Sequence, residues 1–269
     1  MSKKSNPMNN ALTIVAAIVV AWAVYIFVLG NPSNCENPAT LSFFRLPTGE
    51  HPINIMGIMW KGGIIVPFLI AVNLIVISFT IERFITLGKV KGTGNVETFI
   101  RNIRNYIANN QVNEAIAECD KQKGSIANVV RSGLGEYERV QSDSTMDKER
   151  KIAAIQKGLE EATALELPMM SKNLVILSTC ASIAVLIGLI GTVVGMIRAF
   201  SAMAQAGAPD TVALATGISE ALVNTFFGIL GSTLAIILYN YFSSKVDALT
   251  YAIDEAGYSI VQTFATKNK

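Results

Sequence analysis

Residues 174–200 read LVILSTCASIAVLIGLIGTVVGMIRAF, and residues 211–241 read TVALATGISEALVNTFFGILGSTLAIILYNY. No charged residue occurs from Asn173 to Ile197, over 25 positions, or from Ala221 to Ser244, over 24. A helix needs about 20 apolar residues to cross the hydrocarbon core of a bilayer. The other solution, a closed barrel, uses shorter segments that alternate apolar and polar residues. Neither segment alternates, so the two predict a transmembrane helical hairpin, with helices over 173–202 and 212–244 joined by a turn over 203–211.

Two further apolar runs lie upstream. ALTIVAAIVVAWAVYIFVL, residues 11–29, carries no charge and follows Lys3 and Lys4. Its 19 residues exceed the apolar core of a secretory signal, usually about 7–15 residues. It also ends in Gly30-Asn31-Pro32 without a small-x-small cleavage pattern, so it is read as a retained helix within 1–30. Residues 62–82 form the next span, GGIIVPFLIAVNLIVISFTIE. Pro67 is expected to kink it unless neighbours compensate, and Asn73 near its middle to face another helix. Between these spans, residues 31–61 hold Pro32, Pro38, Pro47, Pro52 and Gly49, which argue against a long helix there. This segment reads as periplasmic or interfacial, with Trp60 at headgroup depth.

Residues 83–172 differ in composition. Of 22 Lys/Arg and 20 Asp/Glu, residues 82–172 carry 14 and 13. Apolar residues recur at helical spacing at Val96, Phe99, Ile100, Ile103, Tyr106 and Ile107, and again at Ile126, Val129, Val130, Leu134 and Tyr137. A turn and restart is expected over 109–116, and a break over 142–145. A third helix over 147–167 presents Ile152, Ile155, Leu159, Ala162 and Leu165 or Glu166 along one side. Pro168 is expected to kink it or start a new helix. Residues 245–269 continue the last helix outward through Val246, Leu249, Ile253, Gly257 and Ile260, with a frayed end at 267–269. The fold class is therefore all-α: a polytopic membrane protein of four spans whose long helices extend into a helical cytoplasmic region. Lys3, Lys4, Arg83, Lys89, Lys172 and Lys245 share one side, with Arg45, Lys61 and Arg198 toward the other. The positive-inside rule makes the first side cytoplasmic, with both termini there.

With 51% hydrophobic and 16% charged residues and a formal charge of +2, the chain offers no case for nucleic acid. His51 is the sole histidine, which excludes a histidine triad or multi-histidine metal site. Cys35, Cys119 and Cys180 make neither a metal-ligand spacing nor a disulfide framework. Nucleophile motifs and phosphate loops are missing, so no enzyme, cofactor or metal is expected. A solute transporter would be favoured by an internal repeat or paired broken helices, and the sequence shows neither. A scaffold would need no buried carboxylate.

Ala181, Ala184, Gly188, Gly191, Gly195 and Ala199 form a stripe of small residues, which permits close packing between membrane helices. On the next helix, Gly217, Ala221, Asn224 or Thr225, Gly228, Ser232, Ala235 and Tyr239 form a small and polar face. Phe226, Leu230, Leu234 and Ile237 lie opposite. The small faces suit packing between subunits, and the hydroxyl faces a lumen shared by several copies. Glu220 needs a partner, water or a proton if it lies within the membrane. It either lines an ion path or subunit interface, or sits at the outer surface or caps a helix. Neither charge-free run holds a second carboxylate, so a proton relay would require one from a partner.

GLIGTVVGMIRAF at 188–200 and GISEALVNTFFGILGSTLAIILYNYF at 217–242 resemble the membrane-helix motifs of the MotA/TolQ/ExbB proton-channel family. The second includes its Gly-Ile-x-Glu-Ala-Leu-x-x-Thr and Tyr-Asn pattern. The resemblance is strong over about 165–245 and looser over 62–164. It is closer to the ExbB and TolQ branch than to the flagellar stator. It implies self-association into a pentameric ring around a dimeric, single-span ExbD- or TolR-like partner that carries a membrane aspartate, with a TonB-like protein as a further partner. It implies that Thr192 and Thr225 face that aspartate, and that Glu220 lies near the pore mouth. Asn224, Ser232, Gly188, Gly191 and Gly195 are secondary pore or interface candidates. It implies a proton-driven motor of the inner membrane that energises TonB-dependent outer-membrane transport, with a TolQ-like or gliding-type motor as the alternative. Two features depart from the family: Ser232-Thr233-Leu234 stands where Ala-Ile-Pro is common, and the first helix is additional. The hydroxyl-lined face suits protons, whereas sodium would need more oxygen ligands than it supplies.

Overall fold

The computed structural model describes residues 7–35, 52–143, 145–204 and 210–267. Lys3 and Lys4, the stretch 36–51 with Arg45 and His51, the middle of the turn at 205–209, and 268–269 lie outside the described residues. The described residues are helical apart from short turns. Four helices among them are long and apolar enough to cross a membrane, so the protein is an all-α, polytopic membrane protein.

The helices in order are α1 (Pro7–Ala23), α2 (Ile55–Trp60), α3 (Val66–Lys91), α4 (Val96–Ala108), α5 (Val112–Gln122), α6 (Gly124–Ser142), α7 (Lys148–Ser171), α8 (Leu174–Met203) and α9 (Thr211–Lys267). They form two compact bodies, one within 1–80 and 175–239 and the other within 81–174 and 240–269. Both α3 and α9 contribute residues to each body.

In the first body, α1 continues into a π-helical stretch, Val24–Leu29. This stretch turns Tyr25 and Leu29 inward, onto Trp60 and Val66. The Tyr25 and Trp60 rings stack at 4.5 Å, and the Tyr25 hydroxyl donates to Trp60 O at 3.2 Å. Asn34 Nδ2 donates to Val28 O and Leu29 O at 2.8 and 3.0 Å, covering carbonyls that the helix end leaves open. Trp60 is thus buried at 9% exposure rather than free at a surface. Pro67 produces no kink. It occupies the first turn of α3, where its missing N–H removes no helical bond. Asn73 does face another helix: Nδ2 donates to Leu69 O at 2.8 Å and reaches Phe227 O of α9 at 3.5 Å.

In the second body, Phe99, Ile100, Ile103 and Ile107 of α4 are buried, Val96 and Tyr106 are half-buried, and the whole α6 stripe is buried. On α7 the stripe runs through Ile155 and Leu159 and then through Glu166, which accepts from Asn128 Nδ2 at 2.9 Å. Leu165 is 77% exposed. The turn after α3 is fastened to the turn between α5 and α6. Thr93 N donates to Gln122 O at 2.8 Å, and Gln122 Nε2 to Lys91 O at 3.0 Å. Burial and the neighbouring Asp120 charge push the Cys119 thiol up to about 12. Val246, Ile253, Ala256, Gly257, Ser259, Ile260 and Phe264 are buried on the α9 extension, and Phe264 meets Tyr137 edge-on at 5.0 Å.

Two features of this body differ from expectation. The α7 helix passes through Pro168, and the break falls later, at Lys172 (ψ 141°) and Asn173 (φ 62°). Arg83, read from the sequence only as one of the basic residues of the cytoplasmic side, is fully buried. It donates to both oxygens of Glu82 at 2.8 Å and to Met170 O at 3.3 Å. Asn173 donates to Glu82 at 3.1 Å, so the break between α7 and α8 is tied to the same carboxylate.

Candidate functional site

The hairpin of α8 and α9 is set by glycine. A Cβ on Gly188 would lie 3.0 Å from Asn224 O and from Gly228 Cα. A Cβ on Gly195 would lie 2.7 Å from Gly217 O and 2.8 Å from Ala221 N. One on Gly191 would overlap the Asn224 side chain. At such separations two helix backbones touch directly, the arrangement that small-residue stripes allow. Within the chain, the neighbour of this stripe is α9. The glycines of α8 are covered by α9 of the same chain, and Ala221, Asn224, Gly228, Ser232 and Ala235 are the buried side of α9.

Glu220 is 3% exposed and is held within the chain. Arg198 Nη1 donates to its two oxygens at 2.6 and 2.8 Å. Gly63, at φ 79°, brings its backbone against the same carboxylate, where any side chain would collide. One turn along α9, Asn224 is fully buried, and its Nδ2 donates to Gly62 O at 2.9 Å. Among the described residues its Oδ1 has no hydrogen-bond partner. The Gly62-Gly63 turn before α3 therefore closes over the first two turns of polar residues on α9. Tyr25 belongs to a cluster that packs against Val223 and Phe227 of α9, so the N-terminal segment meets α9 beside Asn224.

The two threonines behave differently from Glu220. The Thr192 hydroxyl donates to Leu189 O at 2.6 Å, and that of Thr225 to Ala221 O at 3.0 Å. Each bond lies within the residue's own helix. Both side chains are partly exposed, and Thr192 lines an open surface groove with Met196 and Phe200. Thr192 follows Gly191 and Thr225 follows Asn224, the two residues that meet across the hairpin, so the threonines flank one level of it. Ser232 is buried about two turns further along α9 than Thr225 and is not part of this cluster.

The sequence places Arg198 only among the basic residues opposite the cytoplasmic side, whereas the fold makes it the partner of Glu220. The signal was available in the hairpin register. Gly195 opposite Gly217 and Ala221 puts position 198 beside the segment that bears Glu220. The Gly62-Gly63 contact joins segments more than 150 positions apart and has no local signature. Among the described residues, no group of His, Cys, Asp and Glu could hold a metal ion.

The chain is thus a polytopic helical membrane protein with a glycine-packed hairpin, a buried carboxylate held by a half-exposed arginine near its turn, and threonines at its flank. Residues 121–255 match the MotA/TolQ/ExbB proton channel family, and the chain belongs to that family. It is 27% identical over 124 residues to Tol-Pal system protein TolQ of Pseudomonas aeruginosa, covering 46% of this chain and 54% of the relative. It is 35% identical over 88 residues to Putative biopolymer transport protein ExbB-like 3 of Synechocystis sp., covering 32% and 42%. It is 27% identical over 145 residues to Biopolymer transport protein ExbB of Pseudomonas putida, covering 54% and 44%. The chain spans about half the length of the curated relatives it matches.

Proposed function

We propose that the chain is a non-enzymatic, ring-forming subunit of a proton-driven motor in the inner membrane, with both termini cytoplasmic. In this reading, several copies, five by resemblance to the family, surround a dimeric single-span ExbD- or TolR-like partner that supplies a membrane aspartate. The motor energises a TonB-like protein for outer-membrane transport.

One observation carries this reading. The hairpin leaves two hydroxyls, Thr192 and Thr225, on partly exposed flanks of its charge-free runs, and Glu220, the carboxylate nearest to Thr225 in sequence, is already held by Arg198. A titrating group on the proton path would then come from outside the chain. The partner aspartate takes a proton from the periplasm, becomes neutral and moves against the hydroxyl and apolar wall. It ionises again when the proton leaves on the cytoplasmic side. Each charge crossing the membrane potential releases about 2.3 kcal/mol per 100 mV, so several protons can drive mechanical work.

Gentle extraction with the products of neighbouring genes, followed by native mass spectrometry, tests the assembly. Five copies carrying two single-span chains are expected, and a dimer or tetramer of this chain alone would favour a transporter or scaffold. Thr192→Val and Thr225→Val are expected to reduce function that depends on the proton-motive force while protein levels stay normal. Full activity of both would remove the hydroxyl role. Since relatives named TolQ and ExbB both align with the chain, a deletion strain separates the two processes. Loss of TonB-dependent uptake supports the ExbB assignment, and envelope leakage with uptake intact supports the TolQ one.

A further inference from the structure

A groove of about 850 Å³ lies within the second body, walled by the C-terminal part of α3, the start of α4 and α9. Phe84 and Tyr241 line it with rings 5.9 Å apart. They are 53% and 46% exposed, which leaves two large aromatic surfaces uncovered. Lys91, Arg101 and Lys245 line it as well. Among the described residues none of these three has an ion-pair partner, and Lys245 Nζ rests 5.7 Å from the Tyr241 ring centroid. Of the remaining charged lining, Arg104 is paired with Glu255 at 3.5 Å, and Glu97 is the one carboxylate left to oppose the three cations. Gly88 lines the groove with open space before it: a Cβ there would meet nothing within 4 Å.

We propose that this groove binds an anionic phospholipid. Its phosphate lies among Lys91, Arg101 and Lys245, and the upper part of an acyl chain lies against Phe84 and Tyr241. Three features of the sequence and structure meet here. The uncharged run of α3 ends at Ile81 and that of α9 at Ser244. Phe84 and Tyr241 therefore fall where apolar helix gives way to charge, the depth at which aromatic side chains meet headgroups. Lys91 is seven residues beyond Phe84, about 10 Å along the helix, a distance that reaches from the acyl boundary into the headgroup layer. The excess of unpaired cations over carboxylates selects a net negative headgroup over a zwitterionic one. Each basic residue at an anionic surface strengthens binding about fivefold. A second copy of this chain is a poorer occupant, because lysines are depleted from the cores of protein interfaces. The inference depends on the cytoplasmic placement of this body, where anionic lipids concentrate, and not on the proton path.

The full chain is purified in detergent, stripped of lipid and supplied with dioleoyl phosphatidylglycerol or dioleoyl phosphatidylcholine, and retained lipid is read by native mass spectrometry. Phosphatidylglycerol is expected to be retained at least about tenfold more than phosphatidylcholine, as two or more cations acting together would give. The triple variant Lys91→Gln, Arg101→Gln, Lys245→Gln is expected to abolish the preference. Gly88→Trp, whose Cβ meets nothing within 4 Å, is expected to lower retention while the circular dichroism spectrum stays unchanged and the melting temperature does not fall. Equal retention of the two lipids overturns the proposal, as does a preference that both variants leave intact. Displacement of phosphatidylglycerol by millimolar inorganic phosphate would assign the site to a soluble anion and also overturn it. So would disulfide crosslinking of Gly88→Cys between copies in vesicles of either lipid, which would make the groove a contact between subunits.

Discussion

Arg198 grips both carboxylate oxygens of Glu220 from the opposite arm of the hairpin, at 2.6 and 2.8 Å, while Glu220 itself is almost wholly buried. The two partners are not equivalent. The Arg198 side chain is 48% exposed and can find water, but that of Glu220 is 5% exposed and cannot. Arg198→Gln strands a buried carboxylate and is expected to destabilise by about 1–3 kcal/mol. Glu220→Gln leaves an amide oxygen for the guanidinium and is expected to lose less. The double variant is expected to be more stable than the sum of the singles, read as melting temperatures in detergent. Strict additivity would show that the pair is not coupled.

The glycines of the hairpin are expected to separate sharply from the one in the lipid-facing groove. Gly195→Ala pushes a methyl group into the backbone of α9 at Gly217 and Ala221, and overpacking of this kind is expected to destabilise by about 1–3 kcal/mol. Gly88→Ala meets nothing and should stabilise α3 by about 0.5–1 kcal/mol through helix propensity. Thermal melts of the two proteins decide the matter, and similar shifts would contradict the close approach of α8 and α9.

Thr192→Val and Thr225→Val are expected to fold almost normally. Each hydroxyl bonds only a carbonyl of its own helix, which retains its backbone partner when the hydroxyl is gone. Changes below about 1 kcal/mol are expected, so expression and melting temperature should match the parent protein. A large loss of stability in either variant would reveal a tertiary contact that the structure does not contain.

Arg83 anchors the start of the second body. Arg83→Ala removes the donor to Glu82 and Met170 and opens a large void. Glu82 retains donors in Thr86 and Asn173 and is partly exposed, which limits the electrostatic part of the loss. A destabilisation of about 2–4 kcal/mol is expected. Arg83→Met, which restores volume without charge, should recover part of it. The same denaturation experiment shows whether packing or charge dominates.

Cys119 is expected to resist alkylation. Its thiol sits near 12, so at pH 8 about one molecule in ten thousand carries the reactive thiolate. The folded value lies above the unfolded one of about 8.5. The resulting stabilisation is complete below the unfolded value and is lost as pH rises toward the folded one. Maleimide labelling of the folded protein at pH 8 should be slow and should become fast in denaturant, followed by intact mass. Rapid labelling in the fold would contradict the burial of Cys119.

The spans and the polar helices were legible because periodicity and charge are local properties. The stripe from Phe99 to Ile107 and that from Ile126 to Tyr137 could be read directly, and so could two charge-free runs. The destination of each surface was not legible in this way. A glycine at position 191 or 195 permits close approach but does not name the neighbour, so the stripe could be assigned to another subunit as readily as to α9. Pro67 and Pro168 show the same limit. The effect of a proline depends on where the helix begins, and α3 begins one residue before Pro67 while α7 simply continues past Pro168. Glu220 was recognisable as a residue needing a partner. Arg198 became that partner through the hairpin register, and Gly62 and Gly63 through a contact that no local pattern encodes.

The close contact of Gly188, Gly191 and Gly195 with α9 also bears on how the chain enters the bilayer. Each basic or acidic residue delivered alone to the centre of a membrane carries an insertion penalty of about 2.5–3.5 kcal/mol. Arg198 and Glu220 sit near the turn, each at the trailing or leading end of a charge-free run, and neutralise one another once the arms close. Pairing therefore lowers the cost of placing these two charges in the hairpin, and the pair forms only when the glycine seam lets the arms close. A bulky residue in that seam would be felt during biosynthesis, as chains degraded before assembly, and not only as a lower melting temperature in the finished protein.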